Sequence, residues 1–143
     1  MTLTADAAIP DALLRHLTAF AAAQSPAIAV SYPDQPFSPA DGEVYLEATH
    51  LPNRPVTRAI SSTGAQQHMG FLQVSVMWPG GATELIDATD LGGRIVAHFH
   101  KGTRLVSNGV AVRIVRRPWI APHLTEPGRL RIPVSIPYQC FSA

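Results

Sequence analysis

Leu13, Leu14, Leu17, Phe20 and Ala21 recur at the three- and four-residue spacing of one helical face, which predicts a first helix over Pro10–Ala23. Proline suits its first turn, where no backbone donor is needed. Ser25-Pro26 ends it, a short strand follows at 28–32, and "PDQPFSPADG" then reads as a proline-rich loop. Val44, Leu46 and Ala48 alternate with Glu43, Glu47 and Thr49, the pattern of a half-buried strand. The same period is strongest in "MGFLQVSVMWPGG", where Leu72, Val74, Val76 and Trp78 take one face and Phe71, Gln73, Ser75 and Met77 the other.

After Pro79-Gly80-Gly81 the period returns to that of a helix, predicted from about Ala82 to Phe99. Leu85, Ala88, Gly92, Ile95 and Phe99 form its stripe, widened by Leu91 and Val96. Glu84 and Asp87 sit near its positive end, and Lys101 and Gly102 follow its negative end. "TRLVSNGVAVRIV" then reads as a hairpin turning at Ser107-Asn108-Gly109. "RRPWIAPHLTEPG" reads as a looser connection. The last apolar run places Leu130, Ile132, Val134, Ile136 and Tyr138 on one face of a strand. Pro133 and Pro137 cannot donate to a ladder, so that strand is expected to be edge-like or bulged. "PNRPVTRAISSTGAQQH" is the least core-like stretch, and residues 53–67 are expected to form a long mobile loop.

Composition narrows the classes. The 143 residues suit one domain, apolar residues make up 46%, and charged residues only 15%. Soluble domains average about a quarter charged, so part of this surface is expected to be covered by a partner. No apolar run reaches the ~20 residues of a membrane span. The N-terminal stretch lacks a basic region and is broken by Asp6, Pro10 and Asp11, unlike a secretory signal; cytoplasmic synthesis is expected. The single cysteine, Cys140, rules out an intrachain disulfide framework.

Net charge is +1, unevenly spread along the chain. Residues 1–100 hold four basic and nine acidic side chains (−5), while residues 101–143 hold seven basic side chains against Glu126 alone (+6). Such halves can interleave within one fold, meet head-to-tail between subunits, or face nucleic acid. The arginines fall mainly on strands and loops rather than on a basic recognition helix, which disfavours a nucleic-acid-binding module.

Chemical motifs are sparse. His98 and His100 in "AHFHKGTRL" would share one face in a strand but lie about 200° apart in a helix. The stripe ending at Phe99 puts them in a last helical turn, where imidazoles meet free carbonyls. A small metalloenzyme using His98, His100 and His123 is the alternative, at a spacing matching no known zinc signature. Cys140 has no basic residue nearer in sequence than Arg131 and is expected to be inert. Glu43 and Glu47 lie ~13 Å apart along one strand, too far for a general acid/base pair. Trp78 and Trp119 read as core or interface anchors. Neither a catalytic residue nor a cofactor or metal site is assigned.

Five motifs in order, "IAVSYPDQPFSP", "GFLQVSVMWPGG", "HFHKGTRL", "NGVAVRI" and "RLRIPVSIPYQCF", carry a resemblance over nearly the whole chain. Together they resemble the tail terminator-like proteins of long-tailed bacteriophages and gene transfer agents. The resemblance implies a single α+β domain over residues 1–143, a mixed or mainly antiparallel sheet packed by two helices. The mobile loop, the C-terminal hairpin and the edge-like strand belong to that expectation. It further implies a non-enzymatic virion protein, assembled in the host cytoplasm as a ring of six subunits at the head-proximal end of the tail. Its partners would be copies of itself, the major tail tube protein and the head–tail connector or stopper, with DNA passing through the lumen and no membrane involved. A related head–tail joining or minor tail protein is the near alternative. The residues expected at assembly contacts are Arg54, Arg58 and Gln66 on the loop, and Arg104, Arg113, Arg116 and Arg117 near the hairpin.

Overall fold

A computed structural model describes residues 2–40, 42–57, 65–80 and 84–142. In chain order the elements are α1 (Ala5–Ala23), β1 (Ala29–Ser31), β2 (Tyr45–Pro52), β3 (Val56–Thr57), β4 (Gln66–Pro79), α2 (Leu85–His98), β5 (Arg104–Ser107), β6 (Val110–Arg113), β7 (Trp119–Ile120), β8 (Leu124–Glu126) and β9 (Arg129–Ser142). One curled sheet runs β1-β2-β4-β9-β6-β5, with β3 beside β4, and β7 and β8 beside β9. Only the β1–β2 pair is parallel, so this is the expected α+β fold with a mixed, mostly antiparallel sheet.

The pairing of β4 with β9 organises everything else. It runs without a bulge from Gln66 opposite Ser142 to Pro79 opposite Arg129. Because side chains alternate along a strand, the even-numbered residues of both strands share one face. Leu72, Val74, Val76, Ile132, Val134 and Ile136 on that face are at most 1% exposed. Leu46 and Ala48 of β2, and Val112 of β6, extend the same layer. Each fully buried aliphatic side chain contributes on the order of 1.5–3 kcal/mol.

Both helices cover this face. α1 lies over β5, β6 and β1, and α2 over β9, β4 and β7. The α2 stripe is as expected: Ala88, Leu91, Ile95 and Val96 are buried, and Phe99, just past the last turn, is fully enclosed. Its described start is Leu85; Ala82 lies outside the described residues. α1 starts earlier than expected, leaving Pro10 inside it. The helix tolerates the lost donor because Ala8 and Ile9, 0% and 2% exposed, pack that extra turn into the core.

The last strand corrects the expectation drawn from its prolines: β9 is central, not an edge. Along its far side run three short strands, with β8 opposite 129–131, β7 opposite 134–135 and β6 opposite 139–140. Pro133 falls between the first two segments and Pro137 between the last two. The Pro133 carbonyl accepts from Ala121 N at 2.9 Å, so its backbone groups point to that broken side and not to β4. Pro137, four residues along an unbroken register, points the same way. Neither proline therefore interrupts the long ladder. The loose connection expected at 116–128 supplies β7 and β8, strands too short to show a period.

The hairpin turns at Asn108-Gly109 with φ of 50° and 78°, the two-residue turn whose twist suits antiparallel strands. In the expected loop at 53–67, Val56 and Thr57 pair with Gln67 and Gln66, so its described ends form a strand pair, and residues 58–64 lie outside the described residues. Among the described residues no helix is long and apolar enough to cross a membrane.

Two glycines give opposite predictions. At Gly70 an added Cβ would lie 2.6 Å from the Leu51 carbonyl oxygen and 2.8 Å from the Tyr138 hydroxyl, whereas at Gly93 it would meet nothing within 4 Å. Gly70→Ala should cost about 1–3 kcal/mol. Gly93→Ala should add up to about 1 kcal/mol by removing a flexible residue from a helix. Urea denaturation of both variants measures the two signs.

Candidate assembly surfaces

The paired histidines separate in the folded chain. His98, the last residue of α2, faces α1, where its ring stacks on His16 with centroids 3.8 Å apart and planes within 17°. His16 Nε2 donates to the His98 carbonyl and His98 Nε2 donates to the His16 carbonyl, both at 2.8 Å. A carbonyl oxygen can only accept, so both rings carry their proton on Nε2. The clasp satisfies a carbonyl left free by the end of α2 and ties the helices across 82 positions of sequence. Phe99 meets both rings edge-on. His100 turns away and donates from Nδ1 to the Ala97 carbonyl at 3.2 Å. The helix-end reading thus holds for His100, while His98 does more by reaching a second helix.

The remaining candidates for chemistry are occupied by structural contacts. His50 Nε2 lies 2.7 Å from the Tyr138 hydroxyl, and burial pushes that phenol's pKa up to about 12. His68 Nε2 is 2.6 Å from Ser142 Oγ, and His123 is exposed between β7 and β8. Among the described residues no three His, Cys, Asp or Glu side chains come together as a metal would need. Cys140 is buried, and that burial raises its thiol pKa, which suits an inert core residue. Glu43 accepts from Ala40 N, while Glu47 binds Arg131 at 3.0 Å. Arg131 also binds Glu126 at 2.9 Å, and the hydrogen bond that it donates to Glu47 leads in raising its pKa. Trp78 is partly buried against the core and donates from Nε1 to Glu84.

Among the described residues no helix covers the second face of the sheet. At one end Phe37 of the proline-rich loop packs on Tyr45, and the Arg129 guanidinium lies 4.7 Å from the same ring centroid. Beyond the Glu47–Arg131–Glu126 bridge the face is open only in part, since Ser75 and Met77 on it are 3% and 2% exposed. Seven large apolar side chains are exposed among the described residues, and the strand registers place six of them here: Leu51, Val56, Val106, Trp119, Leu124 and Phe141. Trp119 meets Phe71 edge-on, and Leu51 is opposite Phe71. Scattered exposed apolar residues need no explanation, but a concentration on one uncovered face marks an interaction surface.

Four of the arginines expected at contacts share one region of the fold. Arg104 and Arg113 are direct cross-strand partners on β5 and β6, both exposed on the helix-free face. Arg116 and Arg117 follow β6 and are exposed. Arg54 is exposed between β2 and β3, several strands away from that pair. Gln66 opens β4 and accepts from Thr57 Oγ1 at 3.0 Å; Arg58 lies outside the described residues. Of the six exposed apolar residues on this face, only Trp119 was singled out from sequence, as a core or interface anchor. Leu51, Phe71 and Phe141 share a side only once β2, β4 and β9 are in register.

A family model described as phage tail terminator protein matches residues 8–138. A solved protein structure superposes with a TM-score of 0.78 at 26% sequence identity, covering 92% of this chain and 92% of its own. No protein of curated function matches the chain.

The histidines make stability depend on pH. Burial lowers the pKa of His16, outweighing the opposing hydrogen bond to the His98 carbonyl, and burial lowers that of His50. The unfolded chain then binds more protons than the folded one as pH drops below the ordinary imidazole value of 6.5. Stability contributed by the neutral rings is complete above that value and is lost as pH falls through the lower folded values. Thermal melts between pH 8 and 5 should show this decline, and His16→Gln should reduce its slope.

Proposed function

The chain belongs to the phage tail terminator family, and on that premise we propose that six copies close into a ring at the head-proximal end of the tail tube. Membership makes it a structural protein of the phage tail. In the proposed role the ring caps the growing tube of major tail protein and so stops its polymerisation. It then presents the surface that joins the tail to the head connector or stopper, and DNA passes through its lumen during ejection. Assembly takes place in the host cytoplasm and the protein ends in the virion.

The observation that carries this reading is the helix-free face with its six exposed apolar side chains. A chain that buries one sheet face thoroughly and leaves the other open and apolar is built to be covered by other subunits. In this reading Arg54 and Gln66, together with Arg58 by its place in the sequence, would meet the tube. The exposed arginines near β5 and β6 would meet a neighbouring subunit.

Deleting the gene from its phage or prophage should give overlong, irregular tails that fail to join heads, seen by electron microscopy. Supplying the wild-type chain should restore tail length. Supplying Leu51→Asp/Phe141→Asp, which alters only exposed side chains, should leave the melting temperature nearly unchanged and fail to restore it. Tails of normal length joined to filled heads in the deletion would sink the terminator role.

A further inference from the structure

Arg131 is neutralised within the sheet, but other basic side chains gather at one end of it. At the β5 end of the sheet Lys101, Arg104, Arg113, Arg116 and Arg117 are exposed, and among the described residues none of them is in an ion pair. Asp11, the acidic group nearest them on α1, is already held by Arg15 and Ser107, which together keep its pKa low. Arg104 and Arg113 sit directly opposite one another, an arrangement that destabilises a strand pair unless counter-charge arrives. On the same face of β5, two residues along, Val106 is 57% exposed.

The opposite end of the sheet carries the complement. Between the end of α1 and α2, beside β1 and β2, lies a groove of about 620 Å³ lined by Ile28, Val44, Trp78, Leu91, Asp87 and Asp90. Arg94 shares its rim and pairs with Asp90 at 3.1 Å, leaving Asp87 without an ion pair among the described residues. Glu84 stands at the same end, hydrogen-bonded to Trp78. Ile86, 79% exposed on α2, is among the described residues the one large exposed apolar side chain that does not lie on the bare sheet face. This end therefore offers carboxylates with an apolar neighbour, as the β5 end offers guanidinium groups with Val106.

We infer that the β5–β6 edge of one copy docks on the α2 groove of the next, with Arg104 and Arg113 meeting Asp87 and Asp90, and Val106 meeting Ile86. The occupant is a second copy of this chain because both halves of the match are on one protomer and at opposite ends of one sheet. Two different patches that complement each other generate a head-to-tail contact, which builds a ring where the rotation from one subunit to the next closes. This rests on the ring reading above and names the surfaces that would build it.

Sedimentation of the full chain at low and high salt, with charge-reversed variants, tests it. Wild type should self-associate in a salt-sensitive way. Arg104→Glu/Arg113→Glu and Asp87→Lys/Asp90→Lys should each weaken association by about tenfold or more. An equimolar mixture of the two variants should regain it, because each then offers the charge that the other lacks and an even ring can alternate them. Recovery on mixing also shows that both variants are folded. Wild type that stays monomeric at millimolar concentration, variants that associate like wild type, or loss without recovery on mixing would each overturn the docking surface. Tail length in the deletion is read separately, so normal tails with charge-dependent association would sink the terminator role and leave this interface standing.

Discussion

The antiparallel pairing of β4 with β9 is the constraint on which the rest of this molecule depends. Fourteen residues on each strand meet without a bulge, so a single parity governs both. One set of residues is sealed under two helices, and the other faces outward. Because the side-chain period is two, a slip of one position would exchange the faces completely. Such a slip of β9 would bring Arg131, Ser135 and Gln139 beneath the helices and expose Ile132, Val134 and Ile136. The prolines of β9 oppose that slip. In the observed register their missing donors face the seams between β8, β7 and β6; shifted by one, they would face β4 and remove bonds from the longest ladder in the fold. Residues that seem to weaken a strand here help to specify how it pairs.

Much of this was legible in the chain. The α2 stripe, the alternation through Leu72 to Trp78 and the Asn108-Gly109 turn are local patterns, and each appears where its period placed it. What was not legible depended on contacts distant in sequence. Pro10 suggested a helix start, yet the burial of Ala8 and Ile9 carries α1 a turn further. Pro133 and Pro137 suggested an edge, because a one-dimensional pattern cannot show which of two neighbours a missing donor faces. β7 and β8 are too short to carry a period at all. The helix-free face was hidden for the same reason. Its apolar residues come from six strands, and in sequence they look like isolated exceptions within polar stretches.

The histidines show how a motif can point to the right residues for the wrong reason. Their spacing invited a chelation reading, and helical geometry correctly separated them. Geometry alone could not supply the partner, because His16 lies 82 positions away and its own sequence surroundings are unremarkable. In the folded chain the clasp is a structural joint. It joins the middle of one helix to the last turn of the other, so α1 and α2 cover the sheet as one layer. A single rigid layer over one face lets the uncovered face keep its shape while it waits for a partner.

That uncovered face and the two short edges of the sheet raise a common problem. Among the described residues β1 and β5 each leave one side unpaired, and open edges invite uncontrolled pairing with other chains. A closed barrel removes such edges by joining its first and last strands. Charge offers a second solution. Arginines at the β5 end repel another β5 end, and carboxylates near β1 repel another β1 end, so like edges avoid each other while unlike edges attract. Under the docking proposed here, the feature that keeps free protomers from stacking at random is the one that orients them in a ring. Part of the charge asymmetry of the sequence then has a physical use: the exposed basic groups around β5 and β6 stand apart from Glu84, Asp87 and Asp90, and under the proposed docking each cluster would orient the next copy the same way round.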